Sequence, residues 1–190
     1  MELYEGRPDS IAGRMEKEIK AYDLLDSLGI KYQRVDHPAV ATIEACHGVD
    51  QILGIHICKN LFLCNRQKTA FYLLLMPGEK VFKTKELSGQ IGTSRLSFAS
   101  EEDMEKYLNV TPGSATVMGL IFDTEHKVQL LIDEDVLKEE YFGCHPCINT
   151  SSIKMRTGDM TGKYLEAVGH EFIAVHFVEK SDSGTGSGSP

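Results

Sequence analysis

Three short stretches hold residue types that could do chemistry. The first is Lys59, which interrupts the apolar run Ile57-Cys58-Lys59-Asn60-Leu61-Phe62-Leu63. A lysine is rarely fully buried, so two arrangements fit. Either the strand has one solvent face and Lys59 points out of it, or Lys59 faces a concave pocket. In a pocket it would place positive charge where a phosphate or a developing oxyanion sits. The second stretch is Cys144-His145-Pro146-Cys147. Two cysteines at i, i+3 make half of a zinc site, but Cys46, His47 and Cys64 supply no second close-spaced pair. A redox pair normally heads a helix after a strand. Here Gly143 precedes the pair, Pro146 lies inside it and polar residues follow it. The remaining readings make the cysteines small fillers, with His145 as the working group or the whole loop structural. The third stretch, Thr111-Pro112-Gly113-Ser114-Ala115-Thr116, is small and turn-forming. It is either a plain connection or a loop whose exposed N–H groups hold a carbonyl or ester oxygen.

Other candidates offer less. His37, His47, His56, His126, His170 and His176 have no partners at recognisable spacing and read as surface or structural. Ser94 and Ser97 lack the elbow motif of a serine nucleophile. No glycine-rich phosphate loop ends in Lys-Ser/Thr. Lys80, Lys83 and Lys85 read as a solvated helix face, with a weaker claim to RNA. The five cysteines are odd in number and no export signal accompanies them, so reduced thiols are expected. Net charge is −8, which repels phosphates on average; RNA binding would need a local basic patch. No apolar run is long enough to span a membrane, and a cytoplasmic protein is expected.

The elements that must position these residues follow from periodicity. Apolar residues three to four apart from Ile11 to Leu25 predict an amphipathic helix over 11–28, stopped by Gly29. Residues 31–36 alternate as a short strand. Residues 42–53 read as a helix capped by Thr42. Ile57 to Cys64 and Ala70 to Met76 read as a hairpin across the polar segment 65–69. A helix over 84–91, a strand over 96–99 and a helix opened by Ser100 come next, the last with three acidic residues in its first turn. Residues 116–122, 128–132, 148–152 and 171–178 read as strands, and 161–168 as a helix. Many short strands with helices between some of them predict an α+β fold. Its form is a mixed, curved, barrel-like sheet surrounded by helices. Residues 1–180 are expected to form one domain and the Ser/Gly-rich 181–190 a disordered tail.

The order of segments Lys59-Asn-Leu-Phe-Leu, Tyr72-Leu-Leu-Leu-Met-Pro77, Ser94-Arg-Leu-Ser-Phe-Ala99, Pro112-Gly113, Gly119-Leu120 and Gly143-Cys-His-Pro-Cys-Ile-Asn-Thr150 resembles the YbaK/ProX prolyl-tRNA editing superfamily. The likeness covers roughly residues 20–178. The His-Pro-x-x-Asn-Thr element is most similar to the free-standing ProX branch, which deacylates Ala-tRNA(Pro). The resemblance implies a mixed, barrel-like sheet with helices packed on it, no metal and no cofactor. It implies that Lys59, with Asn60 beside it, acts electrostatically near the ester. It places His145 and Asn149 in the aminoacyl pocket, and sets the family's Gly-x-x-x-Pro loop on Gly113 to Val117, with donors at Ser114 and Ala115. The final proline of that loop is Val117 here, a departure that bears on the loop's rigidity. The implied partner is the acceptor end of aminoacyl-tRNA(Pro), with prolyl-tRNA synthetase or an elongation factor as further candidates. A cysteine- or serine-specific deacylase, and a non-catalytic binder of aminoacyl-tRNA or synthetase on the same scaffold, stand as alternatives.

Overall fold

The structure, a computed structural model, describes residues 1–39 and 43–178, the side chains of 43–47 excepted. The expected Thr42 cap and the 181–190 tail lie outside the described residues. Two sheets form. Strands β1 (Leu3–Glu5), β2 (Tyr32–Asp36), β7 (Tyr141–Cys144) and β8 (Ser151–Arg156) make a four-stranded antiparallel sheet ordered β1-β2-β8-β7. Strands β3 (Lys59–Asn65), β4 (Phe71–Met76), β5 (Leu96–Phe98), β6 (Val128–Asp133) and β9 (Phe172–Val175) make a five-stranded sheet ordered β5-β3-β4-β6-β9. In the second sheet β4, β6 and β9 run parallel, while β3 is antiparallel to both of its neighbours. The α+β class and mixed sheet are as expected. The sheet is divided in two, and neither half closes on itself among the described residues.

The five-stranded sheet is buried on both faces. Phe62, Leu73, Leu75, Leu130 and Ile132 point into the main core, which they share with Tyr32, Phe142, Ile153 and Met155 of the other sheet. Their alternates Leu63, Leu74, Met76 and Leu131 pack with Leu87 and Phe177 on the opposite side. This two-sided burial is why β4 reads as the unbroken apolar run Phe71-Tyr-Leu-Leu-Leu-Met76.

Helix α1 (Glu16–Ser27) begins later than its periodicity suggests; Ile11 and Met15 lie outside it and are exposed. It ends as expected. Gly29 has φ +66° and its N–H donates to Asp26 O, while Ile30 N–H donates to Leu25 O, the paired bonds of a Schellman stop. Helices α2 (Ile43–Leu53), α3 (Thr84–Ile91) and α4 (Glu101–Leu108) stand where sequence places them. Ser100 caps α4 by accepting from Asp103 N–H. Three elements were not foreseen: β1, α5 (Glu134–Lys138) and β7. Strand β8 starts at Ser151 and runs to Arg156, so residues 148–150 belong to the loop before it. Residues 157–168 form one run of helix whose middle, Met160–Tyr164, is a π turn.

One predicted strand is a helix. Residues Val117–Ile121 form a 3-10 helix, opened by Thr116, whose hydroxyl accepts from Met118 N–H at 3.2 Å. The reason is non-local. A Cβ on Gly119 would lie 2.9 Å from both Cβ and O of Leu108, so the segment is pressed onto the end of α4. Gly119→Ala is therefore expected to lower stability by about 1–3 kcal/mol through overpacking. An unchanged urea midpoint would contradict that close approach.

Candidate active site

The loop 145–150 joins β7 to β8, and its histidine is fixed at two points. The His145 carbonyl accepts from Thr116 Oγ1 at 2.7 Å. Its ring Nδ1 donates to the Ser151 carbonyl at 2.8 Å. A carbonyl only accepts, so Nδ1 carries the proton and Nε2 of the neutral ring is left as an acceptor. Burial pulls the His145 pKa below its ordinary value, aided by His37 and opposed by the Ser151 carbonyl. His37 stands 6.1 Å away between ring centroids. It donates through Nδ1 to Pro38 O at 2.9 Å and accepts at Nε2 from Ser152 Oγ at 2.9 Å. His37 has no partner at recognisable spacing in the sequence, because Ser152 lies 115 positions along the chain.

In a pH titration followed by NMR, His145 is expected to titrate below the ordinary value near 6.5. The unfolded chain then takes up this proton first, so stability attached to His145 is intact above about 6.5 and is lost as pH falls below it. A midpoint at or above 6.5 would contradict the burial.

Thr116 ties His145 to the Gly113 turn. Gly113 adopts φ +86°, a conformation natural to glycine. Ser114 is buried and turned inward: its N–H donates to Thr111 O at 3.0 Å, and its hydroxyl donates to the same carbonyl at 2.9 Å. That uses up one of the two loop donors expected to face a ligand. The N–H of Ala115 has no hydrogen-bond partner among the described residues. Asn149 Nδ2 lies 3.8 Å from where a Gly113 Cβ would sit. Asn149 and Ser114 line one cleft of about 440 Å³ together with Arg14, Lys17, Glu18 and Asp36. Beneath the cleft, Asp36 accepts hydrogen bonds from Arg14, Arg34 and the Ser151 hydroxyl. Burial would raise its pKa, but these three donors hold the carboxyl well below the usual range. They make β2 and β8 a rigid floor under the 145–150 loop.

Lys59 opens β3 in register with Met76. Its side chain is half-buried, and Nζ donates to the Lys80 carbonyl at 2.6 Å. No carboxylate pairs with it among the described residues. Asn60 Nδ2 donates to Cys58 O at 3.1 Å, while its Oδ1 is buried with no partner. The structure thus places the expected residues in two groups. Thr116 joins the His145 carbonyl to the end of the Gly113 turn, and Asn149 lies beside Gly113. Lys59 and Asn60 make no hydrogen bond or ion pair to that group among the described residues. A shared core relates the two: Cys58, before Lys59, packs against the cluster that contains Cys144, before His145.

The carbonyl that holds Lys59 is itself anchored. Lys80 is 2% exposed, and its ammonium lies 3.0 Å from fully buried Asp133 and 2.6 Å from Asp135. Lys80 is thus an interior cation, not part of a solvated helix face; Lys83 and Lys85 are exposed.

The cysteines are quiet. Cys144 and Cys147 are unbridged and buried, and burial pushes both thiols up, Cys147 to about 12. Neither is poised as a thiolate. Among the described residues no three His, Cys, Asp or Glu side chains form a group that could hold a metal ion. No helix of the described residues is long and apolar enough to cross a membrane.

Comparison with known proteins assigns the class. Residues 37–162 match the model of the aminoacyl-tRNA editing domain, which is more than half of the chain. The chain belongs to that family, one of aminoacyl-tRNA deacylases that hydrolyse the ester joining amino acid to tRNA. Among its relatives, the prolyl-tRNA editing protein ProX of Acetoanaerobium sticklandii is 31% identical over 151 residues, covering 80% of this chain and 92% of that protein. The prolyl-tRNA synthetase associated domain-containing protein 1 of Xenopus laevis is 30% identical over 171 residues, covering 88% and 99%. A crystal structure of a provisionally assigned trans-editing enzyme for prolyl tRNA synthetase shares the fold, with TM-score 0.64 at 16% identity over 87% of this chain and 98% of that one.

Proposed function

We propose that this chain hydrolyses mischarged Ala-tRNA(Pro) in trans, in the cytoplasm, after prolyl-tRNA synthetase or an elongation factor has released or passed on the substrate. The observation that carries this reading is the Lys59 ammonium: half-buried, fixed by a carbonyl and without a carboxylate partner among the described residues. A cation held without neutralisation is suited to stabilising negative charge that develops on an ester oxygen.

The chemistry needs little more. An aminoacyl ester is already activated, so a positioned water and a stabilised oxyanion suffice. Lys59 and the Ala115 N–H would share the oxyanion charge. The Asn60 Oδ1 is an acceptor for a substrate N–H or O–H, which would relieve its buried, unpaired state. His145, neutral with Nε2 open, and Asn149, whose amide has no hydrogen bond among the described residues, would line the aminoacyl pocket. The attacking group is water. The buried thiols of Cys144 and Cys147 are too poorly ionised for a covalent route. Selection for alanine over proline would rest on a pocket too small for the proline ring. Excluding a larger group is easier than rejecting a smaller one.

The test is incubation of purified protein with Ala-tRNA(Pro) under single-turnover conditions, following the intact ester. Loss of ester well above the buffer rate supports the proposal. Tight binding that leaves the ester intact would replace it with a non-catalytic carrier.

A further inference from the structure

Three cations stand at the far end of β3 from Lys59. Arg66 and Lys68 stand on the β3–β4 turn, and Arg95 lies just before β5, where Leu96 pairs with Asn65. All three side chains are exposed, and none makes an ion pair among the described residues. The turn is stiff. Asn65 Oδ1 accepts from the N–H groups of Thr69 at 2.8 Å and Ala70 at 3.1 Å, and its Nδ2 donates to Thr69 Oγ1 at 2.8 Å. Lys68 sits at φ +53°, with its N–H on Asn65 O at 3.0 Å. Ser94 Oγ donates to Gln67 Oε1 at 3.5 Å, tying the segment that bears Arg95 to the turn that bears the other two.

We propose that this hairpin tip docks the phosphate backbone of the tRNA acceptor end. The inference rests on the editing reading above and adds the surface that holds the RNA. Charge is the first argument. The chain has a net charge of −8, so RNA needs a local patch of the opposite sign. Two cations on a preorganised turn and Arg95 beside it, none ion-paired among the described residues, supply one at little ordering cost. Distance is the second. Six residue steps separate Lys59 from Asn65 along β3, about 20 Å of strand. At about 3.4 Å per stacked nucleotide, this reaches phosphates roughly six nucleotides from the ester. They lie where the unpaired 3′ strand of a tRNA meets its first base pairs. The tip reads backbone, so it adds affinity without amino-acid specificity.

The test uses the whole protein and a triple variant, Arg66→Ala, Lys68→Ala, Arg95→Ala. Binding of uncharged tRNA is measured by fluorescence anisotropy over a salt series. The expected result is at least tenfold weaker binding at low salt. The slope of log affinity against log salt should flatten by about two to three. The same affinity and slope in both proteins, or no binding of tRNA by the wild type, would overturn the proposal. A second arm compares turnover of full-length Ala-tRNA(Pro) with that of an alanylated trinucleotide too short to reach the tip. The variant is expected to lose about tenfold in kcat/KM on the tRNA and to match wild type on the trinucleotide. Equal losses on both would also overturn it. Failure of wild type to hydrolyse either substrate would count against the editing reading, while the binding arm still decides the surface.

Discussion

Lys59→Ala is expected to slow deacylation by about 10²–10³-fold, the usual consequence of removing one group that stabilises an oxyanion. The structural cost should be much smaller. The lost bond, Nζ to the Lys80 carbonyl at 2.6 Å, involves a half-buried side chain at the first residue of β3. A typical hydrogen bond contributes about 0.5–1.5 kcal/mol net, and one from a charged donor about 1.5–3. Activity should therefore fall far more than the urea midpoint. Lys59→Arg should recover only part of the rate, since a planar guanidinium does not reproduce the point charge of an ammonium. Deacylation within a few-fold of wild type for Lys59→Ala would remove this residue from the mechanism. A variant that is unfolded would show instead that Lys59 is structural.

Lys80→Met is expected to be the most damaging of the changes to stability. It would leave the carboxylate of Asp133, which is fully buried, facing a thioether. Breaking a buried ion pair from one side costs about 3–5 kcal/mol. The variant should also acquire a diagnostic pH dependence. A buried carboxyl without its cation has a raised pKa in the folded state. Its folded form then binds the proton more tightly than its unfolded form, so stability should improve as pH falls from 7 towards 5. Replacing both partners, Lys80→Met with Asp133→Leu, should recover much of the loss, although Asp133 also caps α5 by accepting from Asp135 N–H at 2.9 Å. Urea unfolding at several pH values measures all three. A pH-independent midpoint in Lys80→Met would contradict a buried, charge-dependent pair. Because the Lys80 carbonyl holds the Lys59 ammonium, its deacylation rate should fall as well.

Sequence made visible the parts of this molecule that are local. The polar segment 65–69 between two apolar runs is a hairpin, the Ser100 cap opens α4, and Gly29 closes α1. Each is decided within a few residues. The misread parts depend on distant contacts. Residues 117–121 are apolar and contain a β-branched valine and isoleucine, so they read as a strand, but they form a 3-10 helix capped by Thr116, with Gly119 close against Leu108. Strand β7 hid beside the eye-catching cysteine pair, because Gly143 and Pro146 suggest a loop. Lys80 reads as a surface lysine until Asp133, 53 positions later, comes beside it.

The candidate site divides in the same way. His145, Asn149 and Gly113 are expected from motif order; Thr116 ties His145 to the Gly113 turn, and Asn149 lies beside Gly113. Thr116, whose hydroxyl makes that tie, and His37, which flanks His145, have no local signature. The expected donation from Ser114 changed most: its N–H and hydroxyl are both turned onto Thr111 O, leaving Ala115 to offer the open N–H.

A deacylation panel of Ala-, Cys-, Ser- and Pro-tRNA(Pro) with the purified wild-type protein decides between these substrates. Rapid loss of alanine is expected, with no acceleration over buffer for proline and with cysteine and serine slower than alanine. Hydrolysis of Pro-tRNA(Pro) as fast as Ala-tRNA(Pro), or no hydrolysis of any of the four, would contradict the proposed editing of Ala-tRNA(Pro).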